Sequence, residues 1–205
     1  RHGGDPWGLA RGLGIPVSQV LDFSADLNPF GPPPQLNRLL QEAVEVIAHY
    51  PEPSYQEFRE TVGETLRLDP GCVLPGNGSA ELIYRIARWK AGSKAVVVVP
   101  TFTEYERAVE AEGGKVIHRF FRQEGNQFYP PTIESLLLSE AQILFLCNPN
   151  NPTGTLWPEE QLLELVAQCR HRGITLVVDE ATMDLVADGL RYTLASQVER
   201  FPNLR

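Results

Sequence analysis

Lysine is nearly missing: the 205 residues hold three, Lys90, Lys94 and Lys115, against 15 arginines, and none follows residue 115. Cysteine is equally sparse. Cys72, Cys147 and Cys169 are scattered and form no C-x-x-C pair, which argues against a disulfide framework or a thiolate metal centre. They are expected to be small buried hydrophobes of a reduced compartment. No apolar run exceeds about five residues, the longest being Ala95 to Val99, whereas a membrane span needs about 20. No charged-then-apolar segment leads to a small-residue cleavage site, so these residues hold no secretory signal. The chain opens at Arg1 without methionine, and further residues are expected ahead of it. Runs of Lys/Arg are lacking too, and the net charge of −8 disfavours binding to a phosphate backbone, so nucleic acid is not an expected partner. What is present is apolar material, 42% of residues, which supports a real core and excludes a disordered tail. A soluble, cytoplasmic protein of one domain plus some extra chain is the expectation.

The extra chain lies at the front. Residues 1–35 contain His2-Gly3-Gly4, a short helical stretch near Trp7–Leu13, Asp22-Phe23-Ser24 and the stiff Asn28-Pro29-Phe30-Gly31-Pro32-Pro33-Pro34. Such Pro/Gly density makes an arm rather than one regular element. From Gln35, residues Leu36, Leu39, Leu40, Ala43, Val44 and Ile47 form one 3.6-period stripe, which predicts a helix ended by Tyr50-Pro51-Glu52-Pro53. Ser54 with Glu57 three residues on predicts the capping box of a second helix. Thereafter short apolar runs at Cys72–Leu74, Ala95–Val99, Lys115–Phe120, Ile143–Cys147 and Thr175–Val178 read as buried strands. Amphipathic stretches at Ala80–Trp89, Glu104–Glu112 and Pro158–Arg172 separate most of them. Near-continuous apolar strands alternating with helices predict an α/β fold, a mostly parallel sheet with helices on both faces. Ligands of such sheets sit beyond the C-terminal strand ends.

Four polar motifs follow those predicted ends. Pro75-Gly76-Asn77-Gly78-Ser79-Ala80-Glu81 suits an anion at a helix N-terminus, with a Ser-capped turn as the plain alternative. It departs from the dinucleotide fingerprint at Glu81 and lacks the P-loop lysine. Pro100-Thr101-Phe102-Thr103-Glu104-Tyr105 places an aromatic where it could stack on a planar ligand or simply pack. Asn148-Pro149-Asn150-Asn151-Pro152-Thr153-Gly154 could be a turn, yet three asparagines at a strand end exceed what a turn needs. Asp179-Glu180-Ala181 brings a carboxylate out of a buried strand, where it requires a cationic or hydrogen-bonded partner.

In this order, G-N-G-S, P-T-F, N-P-N-N-P-T-G and V-V-D-E-A resemble the fold-type-I pyridoxal-phosphate enzymes of the histidinol-phosphate aminotransferase group. The arm is most similar to the branch that decarboxylates O-phospho-L-threonine to aminopropanol phosphate for cobalamin assembly. The resemblance implies pyridoxal 5'-phosphate as cofactor, a phosphorylated amino acid as substrate and a homodimer. It implies that Gly78, Ser79 and Ala80 hold the cofactor phosphate, Phe102 stacks on the ring, Asn151 donates to the phenolic oxygen, and Asp179 pairs with the protonated ring nitrogen. Tyr50 would reach a cofactor phosphate in the neighbouring subunit, and His2, Ser24 and Asn28 would border the substrate. By the same resemblance residues 1–35 are an arm and 36–205 an incomplete cofactor-binding large domain, the C-terminal small domain being absent.

Two positions depart from the aminotransferases of the group: Thr182 stands where they usually carry tyrosine, and Ala80 where they often carry aspartate. Both lean toward the decarboxylase branch. The Schiff-base lysine of the group falls just past a segment like Arg200-Phe201-Pro202-Asn203-Leu204-Arg205, and substrate-binding arginines are expected later still. Lys90, Lys94 and Lys115 read as surface residues, so this stretch alone is expected to be inactive. An aminotransferase, or a lysine-less binding protein of the same fold, are the alternatives.

Overall fold

A computed structural model describes residues 4–24, 28 and 30–205. The chain divides into two compact units, residues 1–51 and 52–205. In the first, helix α1 spans Pro6–Leu13, starting where Asp5 accepts the Gly8 N–H at 2.7 Å and ending at Gly14 with φ +65°. Both are capping devices that satisfy orphan backbone groups. Helix α2 covers Pro34–Ala43 and tightens into a 3₁₀ turn at Val44–Ala48, so the predicted helix ends earlier than its stripe. Leu39, Leu40 and Ile47 of that stripe are exposed rather than buried.

The second unit carries the sheet. Helix α3 (Gln56–Leu66) and helix α4 (Gly78–Trp89) precede strand β1 (Lys94–Val99), helix α5 (Glu104–Ala111) and strand β2 (Lys115–Phe120). A hairpin of β3 (Arg122–Glu124) and β4 (Gln127–Tyr129) and the short helix α6 (Ile133–Leu136) come next. Strand β5 (Ile143–Cys147), helix α7 (Glu159–His171) and strand β6 (Thr175–Asp179) complete the set. The four long strands pair in parallel in the order β2-β1-β5-β6. A single parallel bridge from Leu176 to Leu204 adds a further rung beyond β6.

Alternation along the strands divides the core. Ala95, Val97, Ile143, Phe145, Cys147 and Val177 pack with Ile83 and Ala87 of α4 and Tyr105, Ala108 and Val109 of α5. Val96, Val98, Leu144, Leu146 and Leu176 pack on the other face with Leu162, Leu165, Val166 and Cys169 of α7. Strands buried on both faces are continuous in apolar residues for this reason. Each fully buried Val, Ile or Leu contributes about 1.5–3 kcal/mol.

Three local expectations are corrected. Cys72–Leu74 is not a strand: Asp69 accepts the Gly71 N–H and Pro70 opens a 3₁₀ turn, Pro70–Cys72. Cys72 is accordingly exposed, while Cys147 and Cys169 are buried. Ser54 is not the cap of α3; Tyr55 takes φ +50°, and the Glu52 carboxylate accepts both the Gln56 N–H at 3.0 Å and the Ser54 hydroxyl.

The strand order sets the site. From β1 the chain moves outward to β2, and from β5 it moves the opposite way to β6, so the connections diverge between β1 and β5. Open α/β sheets bind ligands at such a divergence, past the C-terminal strand ends. Helix α4 runs back against β1, and twelve residues of helix match six of strand, about 18–20 Å each. Its N-terminus thereby returns to that same edge, where Tyr84 donates to Glu104 at 3.1 Å.

Candidate functional site

Between β1 and β5 the two strand-end loops are joined by Asn150, which is 3% exposed. Its nitrogen donates to the Pro100 carbonyl at 3.0 Å and the Thr153 hydroxyl at 2.8 Å, while its oxygen accepts from the Thr101 hydroxyl at 2.8 Å. Asn148 is also buried; its oxygen accepts the Trp157 N–H, and its backbone N–H donates to the Asp179 carbonyl, both at 2.8 Å. Two of the three asparagines therefore build the scaffold. Of the three, Asn151 alone is exposed.

Asp179 ends β6 half-buried, directly in register with Cys147. Its Oδ2 accepts the Tyr105 hydroxyl at 2.8 Å and its Oδ1 the Ala181 N–H at 3.0 Å. Tyr105 is fully buried, stacked on Phe145 with ring centroids 5.3 Å apart, and meets the edge of Phe102 at 5.6 Å. Phe102 is partly buried against that same cluster. Burial drives the Tyr105 hydroxyl far above the ordinary phenol range, with the Asp179 charge adding to it, so it stays a donor. Burial likewise raises the Cys147 thiol. The sequence motifs did not single out Tyr105. Its signal was available, since a tyrosine on the buried stripe of a helix must find a partner for its hydroxyl.

Beside the carboxylate, Glu180 turns away from this edge. Its oxygens accept from the Thr193 hydroxyl at 2.5 Å and the Leu194 N–H at 2.8 Å, and burial pushes its carboxyl above the ordinary value.

At the start of α4, Gly78 has φ +79°, a region in which a side chain would be strained, and its N–H donates to the Gly76 carbonyl at 3.0 Å. Gly76 packs against Leu82, whose Cδ2 would lie 2.7 Å from an added Cβ and would have to shift. Glu81 accepts the Asn77 N–H at 2.6 Å and pairs with Arg85; both hold its carboxyl below the ordinary range, the backbone bond foremost. The first-turn N–H groups of Ser79 and Ala80 have no intrahelical acceptor and point out of the helix end, as an anion requires.

Of the remaining expected site residues, Ser24, Asn28 and Tyr50 belong to the first unit. In the first unit, the Ser24 hydroxyl donates to Asp22 and accepts the Gly4 N–H, while Asn28 bridges the Phe30 N–H and the Gly31 carbonyl in a local turn. Tyr50 is wholly exposed. His2 and Pro29 fall outside the described residues. The Thr182 hydroxyl lies 3.5 Å from the Pro149 carbonyl.

Lys94 and Lys115 pair across the first rung of β1 and β2, and Lys90 ends α4 just before it. Five strand residues, about 17 Å, separate that rung from the edge carrying Asp179, so none of the three attends the site. Lys94 is instead paired with Glu140 at 2.5 Å. A cleft of about 450 Å³ beside the β3–β4 hairpin, lined by Arg122, Tyr129, Trp157 and Gln161 among others, holds none of the strand-end residues. Among the described residues no group of His, Cys, Asp or Glu could hold a metal ion, and no helix is long and apolar enough to cross a membrane.

One edge thus offers an anchored carboxylate, an aromatic ring, an exposed amide and a helix N-terminus. The set suits a flat heteroaromatic with a protonated nitrogen, an oxyanion and a phosphate, the outline of pyridoxal 5'-phosphate.

Comparison with known proteins agrees. Over 186 residues the chain is 35% identical to the threonine-phosphate decarboxylase of Salmonella typhimurium, covering 90% of this chain and 51% of that protein. Over 197 residues it is 33% identical to a histidinol-phosphate aminotransferase of Desulfitobacterium hafniense, covering 93% and 52%. The chain thus spans about half the length of the curated relatives it matches. The crystal structure of the Sinorhizobium meliloti histidinol-phosphate aminotransferase, solved in complex with pyridoxal-5'-phosphate, superposes on 98% of this chain and 54% of its own. That match has a TM-score of 0.81 at 22% identity and speaks for the fold. The model of aminotransferase class I and II matches residues 18–204, and the chain belongs to that family.

Proposed function

We propose that this chain is the cofactor-binding part of a pyridoxal-phosphate-dependent decarboxylase that converts O-phospho-L-threonine to aminopropanol phosphate for cobalamin assembly. The observation that carries this reading is Asp179, a carboxylate pinned through both oxygens at the C-terminal end of β6 and linked through Tyr105 to Phe102. The similarity to the Salmonella decarboxylase supports the substrate, a phosphorylated amino acid.

Bound pyridoxal phosphate supplies an electron sink for the pair left on the substrate's α-carbon when CO₂ departs. Asp179 holds the proton on the ring nitrogen, Phe102 supports the ring face, and Asn151 donates to the phenolic oxygen without adding charge. Gly78, Ser79 and Ala80 present the start of α4 to the phosphate. Tyr50 serves the phosphate across a homodimer, and the exposed Leu39, Leu40 and Ile47 nearby in sequence support such pairing. His2, Ser24 and Asn28 border the substrate and help set which α-carbon bond stands perpendicular to the ring. None of Lys90, Lys94 and Lys115 serves as the covalent lysine in this reading, and the protein works in the cytoplasm.

A second reading is a histidinol-phosphate or related aminotransferase, favoured by 33% identity to the Desulfitobacterium enzyme. The two part over whether the α-carbon loses CO₂ or a proton. Thr182, in place of the group's usual tyrosine, supports the decarboxylase. Incubation of the complete enzyme with O-phospho-L-threonine separates them: release of aminopropanol phosphate upholds the first reading, and transfer of the amino group to 2-oxoglutarate the second.

A further inference from the structure

Tyr105 has one polar atom, fully buried, which donates to Asp179 at 2.8 Å and lies beside the Cys147 thiol. The ring is gripped from two sides, stacked on Phe145 at 11° between planes and met edge-on by Phe102 at 74°, so the hydroxyl has a fixed bearing. It arrives from α5, while the Ala181 N–H closes on the other carboxylate oxygen from the chain just after β6. One donor per oxygen removes the freedom of the carboxylate to rotate.

We propose that Tyr105 is a positioning residue for Asp179: its hydroxyl fixes the carboxylate's orientation toward the cofactor's ring nitrogen. The inference rests on the reading that Asp179 faces that nitrogen. With that bond in place the carboxylate presents a fixed oxygen to the ring nitrogen. Without it the carboxylate can turn, and its contact with the nitrogen loosens. Because Phe102 touches the same ring, the contact that fixes Asp179 also seats the aromatic assigned to the cofactor face.

The test uses the full-length protein loaded with pyridoxal phosphate labelled with nitrogen-15 in the ring. Tyr105→Phe keeps the ring and its stacking. It is expected to move the ring-nitrogen resonance toward neutral pyridine, to weaken cofactor affinity about tenfold, and to lower kcat with KM little changed. An unmoved resonance in Tyr105→Phe, with a clear movement in Asp179→Asn, overturns the inference and leaves the Asp179 reading intact. An unmoved resonance in both variants overturns that reading and the inference with it. Should Tyr105→Phe not fold, 3-fluorotyrosine at position 105 keeps ring and hydroxyl and strengthens the donor. The resonance must then move the opposite way, and its failure to move overturns the inference.

Discussion

The Asn150 carboxamide accepts the Thr101 hydroxyl at 2.8 Å across the gap between the loops that follow β5 and β1. With its bonds to Pro100 and Thr153, this one buried side chain holds the sheet's divergence point in shape. Neighbouring asparagines therefore have opposite duties.

Asn150→Ala should cost about 2–3 kcal/mol of stability, since it leaves several part-buried polar partners unsatisfied. Asn151→Ala, at an exposed position, should change stability by less than about 0.5 kcal/mol but weaken cofactor binding in the complete enzyme. Urea unfolding beside cofactor titration checks the pair; equal stability losses in both variants would contradict the division.

Asp179→Ala should lower turnover of the complete enzyme by a factor of about 10³, as loss of an electrostatic group aimed at developing charge does. Stability should fall by only about 1–2 kcal/mol, the cost of leaving the Tyr105 hydroxyl unpaired. Retained turnover would remove Asp179 from the chemistry.

Glu180 makes a pH prediction. Burial raises its carboxyl above the ordinary value of 4.5, outweighing the Thr193 and Leu194 bonds that lower it. A group that holds its proton more tightly when folded stabilises the protein while protonated. That contribution is complete below the unfolded value and is lost as pH rises through the raised folded one. Melting temperatures taken from pH 4.5 upward should thus decline more steeply for the wild type than for Glu180→Gln, and parallel curves would contradict the burial account.

The thiols should divide by exposure. Cys72 should react with a disulfide reagent in the native protein, whereas Cys147 and Cys169 should react only on unfolding. Burial holds the Cys169 thiol up at about 12, so it remains protonated at neutral pH. Counting thiols released before and after denaturant reads this directly, one then three.

Much of this architecture was legible from the sequence. Strands β2 and β5 fall on the predicted residues; β5 is buried throughout and leaves a continuous apolar run, whereas β2 is an edge strand exposed at both ends. Local exceptions escaped for equally local reasons. Asp69 and Pro70 convert an apolar triplet into a turn, and Glu52 displaces Ser54 as the group that satisfies the start of α3. The hairpin Arg122–Tyr129 was missed because its strands are short and largely exposed, without alternation. At the candidate site, the motifs pointed to one strand edge but did not separate buried scaffold residues from exposed ones. Asn148, Asn150 and Asn151 are chemically identical in sequence, and only burial separates them. Tyr105 sits among the apolar positions of α5, where a core role and a carboxylate partner produce the same pattern.

The most direct test of the central claim is the product formed from O-phospho-L-threonine by the complete, cofactor-loaded enzyme. Stoichiometric CO₂ and aminopropanol phosphate should form with no need for 2-oxoglutarate. Formation of a keto acid and glutamate, strictly dependent on 2-oxoglutarate and without CO₂, would contradict it.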